Sequence, residues 1–268
     1  MKTSLKLCAA ASTVLLAACG GSSVNAALSK SFNYGTATAP NTQESAAAAA
    51  AKTDLADTTG FSSAPDASKA AAIIGLADSL AALALGNAAV PGRGPSAGDI
   101  TRAVRTATSD FSTCSVVTAS SVTFNNCQIT ESGFTITLNG NISTSANQVN
   151  WAITGGFSGT STDYTVNIVN HQTGSLTLGA TTVVGNATSD FGGSVSGKGQ
   201  NVNFGLSTAV VLNLTYQSSP SYCVTGGTAE VKRVWTTKPN GVSGPEFNDA
   251  AIKFTWSGCD AVQVAHAT

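Results

Sequence analysis

VNFGLSTAVVLNLTY, running from Val202 to Tyr216, is the stretch whose reading decides the fold. Val202, Phe204, Leu206, Thr208, Val210, Leu212, Leu214 and Tyr216 occupy its even positions, and the residues between them are smaller or polar. Successive side chains of a β-strand point to opposite faces, so this period of two predicts one long strand, or two across a bend, with a single apolar face.

The same alternation extends outward in both directions. Upstream it links Phe134, Ile136, Leu138 and Ile142, then Val149, Trp151, Ile153 and Phe157, then Tyr164, Val166 and Ile168. Downstream, Gly227 to Trp235 and Ala250 to Val264 are expected to pair across the loop Thr236 to Asp249. Trp151, Trp235 and Trp256 share the register of apolar neighbours, so all three are expected to be buried. Glycine-bearing pairs at Asn139-Gly140, Gly155-Gly156, Thr173-Gly174, Gly192-Gly193 and Gly226-Gly227 read as breaks between runs, some of them as bulges within longer strands. No helical pattern intervenes between Cys127 and Thr268, which disfavours parallel crossovers. The expectation is an antiparallel meander of about eight to eleven strands.

Between Ser132 and Ala229 the charged residues are Asp163, Asp190 and Lys198, so the polar face of this sheet consists of hydroxyls and amides. Its apolar face requires a cover. Two helical patterns precede the sheet. Asp66 to Leu85 opens on a candidate N-cap and ends before Gly86, with Ile73, Leu76, Leu80 and Leu83 at helical spacing. Asp99 to Phe111 places Ile100, Ala103, Val104, Ala107 and Phe111 on one face. The fold class is therefore α+β, mainly β, with two N-terminal helices packed on the apolar face of the sheet. Full cover gives a plain core, and partial cover leaves an apolar groove.

Of the six cysteines, Cys114, Cys127, Cys223 and Cys259 fall within this domain, and four cysteines allow three pairings. Local geometry favours Cys114 with Cys127. A turn centred on Ser120-Ser121 sets Val117 opposite Phe124, Ala119 opposite Val122 and Thr118 opposite Thr123, which sorts apolar with apolar and hydroxyl with hydroxyl. Cys223 with Cys259 follows by elimination. The C-x-x-C spacing of metal and redox pairs is missing.

At the N-terminus, Lys2 and Lys6 precede an apolar run from Leu7 to Leu16 that ends in Leu16-Ala17-Ala18-Cys19. The three-part pattern is that of an export signal and is too short for a permanent membrane span. These four residues resemble the lipobox of bacterial lipoproteins. The resemblance implies cleavage after residue 18 and acylation of Cys19, palmitate being a typical acyl chain. Several buried chains at about 0.8 kcal/mol per methylene anchor firmly. It also implies an address, because Gly20 and Gly21, rather than an aspartate, follow the cysteine, which points to the outer membrane on its periplasmic face or at the cell surface. Between the anchor and the domain, residues 19–65 are rich in Ala, Ser, Thr and Gly and are expected to form a flexible tether, with a marginal helix over Ala46 to Ala51. The predicted organisation is a signal peptide at 1–18, the tether, and one disulfide-stapled domain at 66–268 with helices at 66–85 and 99–111 and the sheet over 114–268.

Removal of residues 1–18 takes Lys2 and Lys6 from the 13 basic residues and leaves 14 acidic ones, a net charge of -3. Such a chain offers no phosphate-neutralising stripe, so nucleic acid is not an expected partner. The nucleophile elbow, the Walker glycine loop, the H-E-x-x-H zinc motif and the dinucleotide glycine pattern are all missing from the sequence. His171, in what looks like a hairpin tip, and His266 are expected to be exposed. No catalytic, metal or cofactor residues are assigned. The expected role is non-enzymatic, structural or binding, with the membrane as partner through the lipid anchor and an apolar ligand or an envelope protein as further partners. A carrier or sensor of lipid is the alternative, resembling in arrangement the periplasmic lipoprotein carriers. A hydrolase of envelope glycans is the third reading.

Overall fold

The computed structural model describes residues 25–57, 114–131, 133–218, 222–240, 243–244 and 247–267. Cys19 and the two predicted helices at 66–85 and 99–111 lie outside the described residues. Those residues are mainly β, a ten-stranded antiparallel sheet with few helices. Its strands are β1 (Ser115–Val117), β2 (Ser121–Glu131), β3 (Phe134–Ser145), β4 (Gln148–Thr160), β5 (Tyr164–Leu178), β6 (Thr182–Gly197), β7 (Gln200–Gln217), β8 (Cys223–Thr237), β9 (Ala250–Gly258) and β10 (Ala261–Ala267). They lie side by side in chain order, each pairing with the next.

The run Val202 to Tyr216 is one unbroken strand, β7, and its even positions do share a face. Cross-strand pairing carries that face along the sheet. One row links Ile142, Trp151, Gly174, Ala187, Val210, Val231 and Ile252 in register. Large side chains are interleaved with small ones. A Cβ on Gly174 would stand 2.0 Å from the Trp151 ring, so the indole lies over a bare backbone that only glycine provides. Trp151, Trp235 and Trp256 are 5 to 7% exposed, as their register predicted.

Two local expectations are corrected. The five glycine-bearing pairs are not breaks between strands, because each lies inside a strand that continues through it, and the expectation of bulges within longer strands holds at Gly226, beside a register shift. Their glycines answer to close packing between neighbouring strands. At Gly227, with φ +98°, a Cβ would come within 2.0 Å of the Asn213 carbonyl oxygen. Asn170 to Gly174, read as a hairpin tip around His171, is likewise the middle of β5.

The first hairpin has a different register from that expected, with Ser115 opposite Phe124 and Val117 opposite Val122. The Thr118 hydroxyl accepts the Ser121 N–H at 2.9 Å and the Ser120 N–H at 3.3 Å, which centres the turn on Ala119-Ser120, one residue earlier than expected, and shifts the cross-strand pairing by two. A register shift between Phe124 and Cys127, with Asn126 at φ 50°, then brings Cys127 back to Cys114. Both expected disulfides are formed, Cys114 with Cys127 and Cys223 with Cys259.

The larger correction concerns the tether. Residues 25–57, within the 19–65 segment, form a strap folded around the sheet rather than free chain. Its first helix, α1 (Ala26–Ser29), is capped by Asn25 and lies over β7 and β8 on the polar face. The strap then pairs with the outer edge of β10, where Gly35 N–H meets the His266 carbonyl and Thr38 exchanges two backbone hydrogen bonds with Val264. The second helix, α2 (Thr42–Asp57), returns along the opposite face, where Ala48 and Ala51 join the apolar core. A segment without large apolar residues docks here through backbone hydrogen bonds, small side chains and ion pairs. Composition alone does not register any of these.

Candidate functional site

The side chains with the most chemical potential stand in one row on the polar face. Thr154, His171, Asp190 and Ser207 are direct cross-strand neighbours on β4, β5, β6 and β7. The hydroxyl of Ser207, wholly buried, donates to Asp190 Oδ1 at 2.5 Å, and Asn25 Nδ2 donates to the same oxygen at 3.0 Å. Ser207 Oγ in turn accepts the Ala27 N–H at 3.3 Å. His171 is exposed and its Nδ1 lies 2.9 Å from the Thr154 hydroxyl. These are the residue types of a nucleophilic triad in an order that cannot act as one. The acid stands between the serine and the histidine, the serine gives its proton to the acid, and α1 seals the serine from solvent. What the row does is hold the strap.

Along the strap a second group of polar contacts continues the clamp. Lys30 Nζ donates to Asp249 Oδ2 at 2.5 Å, and Trp235 N–H donates to Asp249 Oδ1 at 2.8 Å. Partial burial pushes the Asp249 carboxyl up, but the Lys30 and Trp235 hydrogen bonds and the charges of Lys30 and Lys238 outweigh it and hold the group below the usual range. Tyr34 donates its hydroxyl to Glu230, and burial first, then that carboxylate, raises its pKa well above the ordinary phenol value. Lys232, buried on this face, donates to the Lys30 carbonyl at 3.0 Å and lies 3.3 Å from Glu230. Where the strap enters α2, Asn41 and Glu44 cap each other's backbone N–H groups at 2.8 and 2.9 Å. Glu44 also meets His266 Nε2 at 2.9 Å, which gives the second histidine a structural partner on an exposed ring.

On the opposite face, a polar row crosses the apolar side chains. Gln172, Ser189, Thr208 and Arg233 are cross-strand neighbours on β5 to β8. They divide the main cluster from a smaller one built on Ile168, Phe204, Leu206 and Trp235. Ser189 donates to Asn170 Oδ1 at 2.7 Å, and Arg233 Nη2 donates to the Asn248 carbonyl at 3.1 Å. Gln172 is 7% exposed and its Oε1 has no partner among the described residues. The sequence did not disclose this row. Only the pairing of β8 with β7 places Arg233 opposite Thr208 on the inner face.

Among the described residues no three His, Cys, Asp or Glu side chains are grouped to hold a metal ion. No described helix is long and apolar enough to cross a membrane. Comparison of the chain with protein-family models, with curated proteins and with solved structures gave no match.

Proposed function

We propose that the chain is a lipoprotein of the bacterial cell envelope, acylated at Cys19 in the outer membrane, whose sheet domain has a non-enzymatic structural or binding role. The observation that carries the non-enzymatic reading is the row through His171, Asp190 and Ser207. Its acid and its serine are spent on fixing Asn25 and Ala27, so this convergence of serine, acid and histidine among the described residues serves architecture. The lipobox, Leu16 to Cys19, supports the anchor. Metabolic labelling with an alkynyl palmitate tests it. The wild-type chain should take up the label and sediment with membranes, and Cys19→Ala should lose both. A soluble, unlabelled wild-type chain would refute the anchor.

The carrier reading has one observation in its favour, the polar row set between two apolar clusters, in which Gln172 Oε1 has no partner among the described residues. An amphiphile bridging that row would bring a hydrogen-bond donor to Oε1 and apolar segments to the clusters. Native mass spectrometry followed by organic extraction of the exported protein distinguishes the two. A stoichiometric lipid adduct favours the carrier, whereas a clean apo mass that takes up no added phospholipid favours a filled core.

A further inference from the structure

The strap changes how the anchor and the domain are connected. Asn25 is fixed on the polar face, at Asp190 in the middle of β6, and six residue steps separate it from Cys19. Whatever path those residues take, six steps span at most about 20 Å. From Asp190 to either end of β6 is about 25 Å at roughly 3.3 Å per residue. A sheet standing on its end would hold Asn25 farther from the bilayer than its leash reaches. We propose that the hydroxyl- and amide-bearing face of β4 to β7 is the membrane-facing side of the domain, lying against the lipid headgroups with the strands closer to parallel with the bilayer than to its normal. The inference rests on the reading of Cys19 as the lipid anchor.

The chemistry of the face fits that neighbour. It presents few charges, because Asp163 lies 3.6 Å from Lys198 at the far end of the strands, and the remaining carboxylate, Asp190, keeps its charge but is already hydrogen-bonded by Asn25 and Ser207. Approach to the headgroup layer therefore strips few ions of water. Many of its hydroxyls and amides already satisfy one another across strands, Thr173 with Thr188 at 2.8 Å, Thr160 with Thr165 at 3.2 Å and Gln148 with Ser175 at 3.0 Å. Val169 and Val184, 36% and 46% exposed, add apolar surface on the same side. Without a basic cluster, the face is held by its leash rather than by attraction to anionic lipid.

The test uses the full chain, processed in a bacterial host and reconstituted in phosphatidylethanolamine and phosphatidylglycerol vesicles that carry a headgroup nitroxide quencher. A fluorophore is placed singly through T173C on the face, N147C at one end of the strands, or T162C at the other. Quenching at the Thr173 position should exceed that at both ends severalfold, and a Gly-Ser insertion of about 20 residues between Gly21 and Ser22 should abolish the difference. Strongest quenching at either end, or equal quenching at all three positions, would overturn the orientation. The intact mass of the same preparation separates the two ideas. An acylated Cys19 with an unquenched Thr173 position defeats only the orientation, whereas a missing acyl mass defeats the anchor and the orientation with it.

Discussion

Asp249 shows how much of the strap's attachment depends on single side chains. Its carboxylate joins the backbone of β8 at Trp235 to Lys30 of the strap, and its pKa is held below that of an unfolded aspartate. A carboxyl depressed in the folded state contributes stability that is fully present above the unfolded pKa of about 3.9 and is lost as pH falls through the lower folded value. Urea midpoints should therefore decline from about pH 5 downward, and Asp249→Asn should be less stable than the parent at neutral pH yet decline less steeply in acid. Identical acid slopes for the two proteins would show that Asp249 is not a source of the effect. Nothing at Asp249 itself announces this role in the sequence, because its partners lie 14 and 219 residues away. The same distance hides the buried placement of Arg233 and the pairing of Asp190 with Asn25.

At the scale of elements, α2 docks through small side chains and two ion pairs and depends in part on its own ends. It is rich in alanine, the best helix former, but an isolated helix of its length is marginal in water. The reciprocal cap between Asn41 and Glu44 offsets part of that. Asn41→Ala should cost about 1 kcal/mol locally. Hydrogen exchange should then quicken through Thr42–Asp57 while the amides of β4 to β7 keep their protection, and a uniform change across the sheet would contradict this local role. Elements with a strong local signature were legible in advance. The alternation of Val202 to Tyr216 gave β7, and the meander followed from the lack of intervening helices. Glycine pairs misled because their local signal is a turn, whereas Gly174 is required by an indole on the neighbouring strand and Gly227 by a carbonyl. Apart from the helix expected over Ala46 to Ala51, which falls inside α2, the strap was illegible for a related reason. Its partners are backbone groups of β10 and polar atoms of β6 to β8, and only the assembled sheet presents them.

At the scale of the whole molecule, the two disulfides close loops of different length, with sequence separations of 13 and 36. If each acts by restricting the unfolded chain, removal should cost about 3 kcal/mol for Cys114 with Cys127 and about 4 kcal/mol for Cys223 with Cys259. Urea denaturation of the two paired alanine variants gives the ranking, and the reverse order would mean that native-state packing outweighs chain entropy. The pairing of these cysteines was legible because both bridges staple neighbouring parts of the meander, although the register around Cys114 was set by a threonine turn and a bulge that no alternation reveals. The edge contact between Thr38 and Val264 spans 226 residues and sets the timetable of maturation. If the chain is exported as proposed, the strap emerges early, while β10 follows only after the rest of the sheet. Until β10 arrives the strap has no edge to close on, and the growing meander exposes a bare strand to any chain nearby. The strap then acts as a seal on completion, so that a chain cut short before β10 would carry both an open edge and an idle latch, the combination a quality-control protease is suited to find.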